Sequence, residues 1–134
     1  MTSRGARARR RPRPDVALVG PCAAGKSTIA RMLQARGWRA RAIAQEHSFV
    51  PDMWRRLTDP RVLVFLDATW EETRRRKGLR WDRADYEAQQ RRLAHARAHA
   101  DLYIRTDGLS PEAVVARIEA FLRARGLRPA EGSV

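Results

Sequence analysis

Apolar residues along this chain fall into short runs, and each run carries the period of either a strand or a helix. The stretch DVALVG, from Asp15 to Gly20, is β-branched, apolar and closed by glycine, which predicts a strand buried on both faces of a parallel sheet. Beyond Lys26, the residues Ile29, Met32 and Leu33 recur at helical spacing until Gly37 supplies a stop. Alternation predicts a strand from about Arg39 to Ala44, and PDMWRRL predicts a turn or two of helix that Pro60 ends. RVLVFLD, closing on Asp67, is the strongest strand pattern in the sequence. Thr69 then caps a helix to about Lys77, with Glu72 spaced to reach back in a capping box. After the break GLRWD, a long polar helix starts at Asp82 or Ala84 and runs to about Ala100. LYIRT predicts a last strand and Asp107–Gly108 a turn. Ser110 and Pro111 then open a helix whose apolar face is Val114, Ile118, Phe121 and Leu122, ending at Gly126.

Strands and helices in this order predict an α/β fold, a three-layer sandwich around a small parallel sheet of about four strands. The chain has 134 residues, enough for one core, which we assign to residues 15–126. Residues 1–14 form an arginine-rich arm with neither period, read as disordered, and residues 127–134 a flexible tail. The longest apolar run, Val62–Leu66, is too short to cross a membrane, and no apolar segment of a secretory signal follows the basic start. Cys22 is the single cysteine, so no internal disulfide forms, and the expectation is a soluble cytoplasmic protein.

Charge sharpens the picture. There are 28 Lys+Arg against 15 Asp+Glu, a net charge of +13, and only Lys26 and Lys77 are lysines. Two readings of the arm stand side by side: a solvated segment, or a contact for nucleic-acid phosphates through Arg4, Arg7, Arg9, Arg10, Arg11 and Arg13. A lysine in a chain that otherwise uses arginine marks a place where a compact ammonium fits and a wide guanidinium does not.

That place is GPCAAGKST, Gly20 to Thr28, between the first strand and the first helix. Gly20, Gly25, Lys26 and Ser27 satisfy G-x-x-x-x-G-K-[ST] in the strand–loop–helix context that gives the pattern its meaning. Glycines let successive backbone N–H groups of Gly20, Pro21, Cys22, Ala23, Ala24 and Gly25 (proline excepted) turn inward on an anion, and the new helix adds its positive end. Lys26 reaches β- and γ-phosphates, the Ser27 hydroxyl binds Mg²⁺, and Thr28 assists at the α-phosphate. The expected ligand is ATP or another NTP with Mg²⁺. Cys22, inside the loop, reads as a small tolerated residue or as a redox-sensitive thiol at the helix start.

This loop, with FLDATWEETRRR, a basic segment, and ADLYIRTDGLSPEAVVARIEAFL, resembles P-loop kinases of the nucleotide, nucleoside and shikimate kinase type over nearly all the chain after Asp15. The resemblance implies the P-loop-containing nucleoside triphosphate hydrolase fold. It also implies an arginine lid between Arg74 and Arg83, with Arg76 and Arg80 as catalytic arginines, and Thr106 and Asp107 beside the base. Such kinases have five parallel strands and an acceptor-binding insert, whereas Gly37 to Pro60 has room for one strand and a short helix. If the AIAQEHS strand neighbours the loop strand, Gln45, Glu46 and His47 end beside the γ-phosphate. Glu46 is then the carboxylate linked to the metal or the base that takes an acceptor's proton. Asp67 stands second as a metal ligand, or simply caps its own turn. His95 and His99, four apart on one helix face, are a weaker metal pair without a third ligand. Trp81, in the lid break, is either packed or free to stack on adenine. Two functions follow: an Mg²⁺-dependent phosphotransferase with a small-molecule acceptor, or a nucleotide switch or slow ATPase that works through a protein or RNA partner.

Overall fold

The computed structural model describes residues 13–78 and 80–130. Most of the arginine arm, residues 1–12, and the last four residues of the tail lie outside the described residues. The fold is α/β, with four strands: β1 (Val16–Val19), β2 (Ala40–Ala42), β3 (Val62–Asp67) and β4 (Leu102–Arg105). They form one all-parallel sheet in the order β2-β1-β3-β4. Among the described residues there are six α-helices: α1 (Lys26–Ala35), α2 (Met53–Thr58), α3 (Trp70–Lys77), α4 (Arg83–Arg92), α5 (Ala94–His99) and α6 (Pro111–Ala124). A 3₁₀ turn covers Gln45–His47.

Register explains the continuous apolar runs. β1 pairs with both neighbours, Val16 opposite Ala40 on one side and Val62 on the other, so every β1 residue is buried on both faces. On one face, Val16, Leu18, Val64 and Leu66 pack with Leu33 of α1 and Ile118 and Leu122 of α6. On the other, Val19 and Phe65 pack with Trp54 of α2, Leu93, and Ala96 of α5. Each fully buried Leu, Ile or Phe contributes about 1.5–3 kcal/mol, so these two clusters outweigh any single polar contact in holding the sheet.

Several boundaries differ from the sequence expectation. The second strand is shorter than Arg39–Ala44: Ile43 N–H gives the last bond to β1, at Leu18 O (2.9 Å), and the chain then turns into the 3₁₀ segment. The long polar helix is two helices, hinged at Leu93, whose N–H is shared between the carbonyls of Gln89 and Gln90. No Pro or Gly marks that bend. It carries Leu93 and Ala96 into the core while Gln89 stays turned toward the loop after β1. Thr69 does cap α3, accepting from Glu72 N–H at 3.2 Å, but the reciprocal half of the box is not made by Glu72. Asp107 accepts the Thr69 N–H instead, at 3.1 Å, while Glu72 pairs with Arg75 and Arg76. Ser110 caps α6 as the sequence indicated, accepting from Ala113 N–H at 3.1 Å. Past Gly126, Leu127 packs on the core and Ala130 N–H donates to Gly37 O at 2.9 Å.

Parallel strands bring all their carboxyl ends to one edge. The loop after β1, the 3₁₀ turn after β2, the β3 end at Asp67 and the β4 end at Thr106 therefore share that edge, where ligands of such sheets bind.

Candidate functional site

Gly20 begins the loop at φ +152°, and a Cβ built on it would lie 1.9 Å from the Leu66 carbonyl oxygen. Only glycine lets β1 leave the sheet so close to the β3 backbone. A turn follows, with Ala24 N–H donating to Pro21 O at 3.2 Å and Ala23 at φ +68°. Gly25, at φ +97°, is the N-cap of α1, and among the described residues no side chain caps that helix. The first N–H groups of α1, those of Lys26, Ser27 and Thr28, have no intrahelical acceptor and carry the positive end of the helix dipole. Ser27 and Thr28 are exposed.

Lys26 folds back over this loop. Its ammonium donates to Gly20 O at 2.8 Å, to Pro21 O at 3.1 Å and to Glu46 Oε2 at 2.8 Å. Both partners of the ion pair are largely buried, and the other carboxylate oxygen, Glu46 Oε1, has no hydrogen-bond partner among the described residues. Glu46 stands where the neighbouring β2 leads, on the 3₁₀ turn rather than on the strand itself. Gln45 fixes that turn: its side-chain amide accepts from Trp54 N–H at 2.9 Å and donates to Val50 O at 2.8 Å. Around the loop lies a cleft of about 480 Å³, lined among others by Cys22, Lys26, Ser27, Glu46, His47 and Lys77. Among the described residues Glu46 is its one acidic side chain.

A second cleft, of about 300 Å³, shares Ala23, Gly25 and Thr28 with the first and is otherwise walled by Ile29, Leu109, Val114, Arg76 and Thr106. Arg76 and Thr106 are thus brought to the loop together. The Arg76 guanidinium donates to Ala23 O at 2.6 Å and lies 3.4 Å from Thr106 Oγ1, while Glu72 holds it from behind at 2.8 Å. Thr106 itself is buried, its N–H and hydroxyl both directed to Asp67 O.

Three expected site residues are placed otherwise. Asp107 accepts from both the N–H and the hydroxyl of Thr69, at 3.1 and 2.6 Å, so its carboxylate fastens α3 and lines neither cleft. Asp67 is surrounded by donors: Ala68 N–H at 2.9 Å and Gln90 at 3.2 Å on one oxygen, Arg97 at 3.5 Å and the Tyr103 hydroxyl on the other. With both oxygens taken, Asp67 closes its own turn and has no free lone-pair face for a metal. Burial, and then the hydrogen bond to Asp67, pushes the Tyr103 phenol above its ordinary pKa, which keeps it a donor. Arg80 is exposed in the turn after α3 and lines neither cleft. Other arginines of the segment are also occupied, Arg74 and Arg83 over the Trp70 ring at 5.2 and 5.4 Å. Trp81 is buried and donates its indole N–H to Thr73 Oγ1 at 2.9 Å, so it packs rather than presenting a free face.

Sequence reasoning missed Gln89 and Lys77. Gln89 is buried on α4 and grips Cys22 from both ends of its amide, accepting Cys22 N–H at 2.9 Å and donating to Sγ at 3.1 Å. Lys77 lines the loop cleft from the end of α3. A glutamine within a polar helix carries no sequence signal of this kind. Lys77 had one, being the second of only two lysines. The histidine pair stacks at 4.1 Å between ring centres, with His95 Nδ1 accepting from the Trp54 indole at 3.2 Å. Among the described residues the one grouping of three metal-ligating side chains lies elsewhere, at Cys22, Glu46 and His47. Compared with known proteins, the sequence matches no protein-family model and no curated protein.

Proposed function

We propose that the chain binds ATP or another nucleoside triphosphate with Mg²⁺ at Gly20–Thr28, in a P-loop nucleoside triphosphate hydrolase fold, and transfers the γ-phosphoryl group to a small-molecule acceptor. The observation that carries this reading is the Lys26 ammonium held over an uncapped helix N-terminus at the carboxyl edge of a parallel sheet. On binding, Lys26 exchanges Glu46 for β- and γ-phosphate oxygens, and the loop N–H groups receive the phosphates. Ser27 and Glu46 offer the oxygen donors that Mg²⁺ prefers, and the orphaned Glu46 Oε1 fits that demand. Held by Ser27 and Glu46, such an ion would supply neutralisation of the charge that develops on transfer. Glu46, as the one acid of the cleft, serves the nucleophile's proton, whether the nucleophile is an acceptor hydroxyl or water. The apolar second cleft suits the base, with Arg76 and Thr106 at its rim.

One surface favours the alternative, a slow ATPase or switch that works through a partner. Phe49 is 85% exposed, under the Arg92 guanidinium, at a depression of about 300 Å³ lined by Pro51, Ala88 and Arg91. Incubation with γ-labelled ATP and pooled small metabolites, or RNA, separates the two. Label on a small molecule supports the transferase; label released only as phosphate supports the switch, and no nucleotide binding at all overturns both.

A further inference from the structure

Two donors in the walls of the loop cleft, Cys22 and His47, take no part in the phosphate chemistry, and both stand beside Glu46, which does. Cys22 Sγ and His47 Nε2 lie 3.4 Å apart, Cys22 Sγ lies 3.8 Å from Glu46 Oε2, and His47 Nε2 lies 3.8 Å from the same oxygen. A tetrahedral zinc ion with bonds of about 2.0–2.3 Å separates its donors by roughly 3.3–3.6 Å. The three sides of this triangle are therefore already within about half an ångström of a zinc face, with no backbone movement.

The donors are also held in place. Gln89 orients Cys22 through both its N–H and its sulfur, and an amide N–H aimed at a sulfur supports the thiolate that a metal requires. Glu46 is buried, and one of its oxygens lacks any partner among the described residues. His47 is more than half exposed, so the side from which an ion enters is open. The triangle's oxygen, Glu46 Oε2, is the one that the Lys26 ammonium holds at 2.8 Å.

We propose that Cys22, Glu46 and His47 bind a zinc-class divalent cation, which takes the place of the Lys26 ammonium at Glu46. Sulfur and imidazole nitrogen select zinc over the oxygen-seeking Mg²⁺ that accompanies a nucleotide. Three protein donors leave the fourth position to water, the arrangement of an open zinc site. On binding, the Cys22 thiol gives its proton to solvent, the new S–Zn bond replaces S–H, and Lys26 swings free.

The site shares Glu46 with the nucleotide reading, but its test does not depend on that reading, because it contains no nucleotide. Zn²⁺ is titrated into the full chain by calorimetry, and Co²⁺ is added separately to record its absorption spectrum. The expected result is one Zn²⁺ per chain and a thiolate-to-Co²⁺ charge-transfer band in the wild-type protein. Cys22→Ser should lose the band, and Cys22→Ser and His47→Asn should each weaken Zn²⁺ binding by at least ~10²-fold, more than the loss of an outer-shell partner costs. Lys26→Met should tighten it by at least ~10-fold, since a competing cation is removed. That same variant is expected to lose nucleotide, so the two readings predict opposite signs for one substitution. No Zn²⁺ binding, no thiolate band in wild type, equal affinity in Cys22→Ser, or weaker binding in Lys26→Met would each overturn the proposal.

Discussion

Lys26 Nζ and Glu46 Oε2 sit 2.8 Å apart at the mouth of the loop, both largely buried. The two charges satisfy each other, and the proposed nucleotide would have to divide the pair. Lys26→Ala should therefore act twice. It leaves a buried carboxylate unpaired, lowering the stability of the empty protein by about 3 kcal/mol, the low end for a pair beside an open cleft. It should also abolish the melting shift that Mg·ATP gives the wild type. Thermal melts with and without Mg·ATP report both effects, and equal ligand shifts in the two proteins would remove the phosphate-loop assignment.

Glu46→Gln keeps the shape of the side chain and removes its charge. Nucleotide should still bind, while turnover falls by at least ~10²-fold, the scale of a lost general base. Asp67→Asn should leave turnover within a few-fold and cost stability instead, because Asp67 is saturated by Ala68, Gln90, Arg97 and Tyr103. ATP affinity and turnover measured side by side decide which acid is which; an inert Glu46→Gln with a dead Asp67→Asn would reverse the assignment.

Two glycines along the carboxyl edge of the sheet, after β1 and after β4, should respond very differently. Gly20→Ala drives a methyl into the Leu66 carbonyl and should cost at least about 3 kcal/mol. Gly108→Ala meets nothing within 4 Å and carries only the strain of φ +73°, about 1 kcal/mol. Urea midpoints of the two variants provide the comparison.

Glu119 links the pH response to the fold. It accepts from the buried Trp38 indole at 2.9 Å and pairs with Arg36 at 2.9 Å. Burial alone would raise its carboxyl pKa, but the bonds from Arg36 and Trp38 outweigh burial and hold it below the ordinary value. A folded pKa below the unfolded one adds stability that is present above about pH 4.3 and is lost as pH falls through the lower folded value. Glu119→Leu should cost about 1–3 kcal/mol at neutral pH, through the orphaned indole, and flatten the acid limb of stability against pH. An acid limb unchanged in the variant would assign the loss to other groups.

Trp81→Phe should remove about 1 kcal/mol with the Thr73 hydrogen bond and leave nucleotide affinity unchanged. A large fall in affinity would return Trp81 to the base.

Strand and loop were legible in the sequence for one reason: a strand buried on both faces can only be a run of apolar residues, and the loop beyond it can only use glycines where backbones nearly touch. Val16–Val19 and Gly20 carry that information locally. Long-range choices were not legible. Asp67 and Asp107 both stand at strand ends, and nothing in their neighbours tells that Tyr103, Arg97 and Thr69 will come to donate to them. Gln89 is silent for the same reason, since its meaning depends on a partner 67 positions away. The bend at Leu93, which sets Gln89 there, is made by burial rather than by a residue that breaks helices.

β1 is both the earliest strand described and an interior one, paired to β2 on one side and β3 on the other. During synthesis the loop that follows it leaves the ribosome before Val62–Asp67 exists, so Gly20 then has no Leu66 carbonyl to rest against. Ala40–Ala42 emerges sooner, and with it Glu46, so the Lys26 pair can close while half the sheet is still missing. A nascent chain halted before β3 would thus expose an unpaired edge of β1, one halted before β4 an unpaired edge of β3, and chaperone capture should fall sharply only once Arg105 has cleared the exit tunnel.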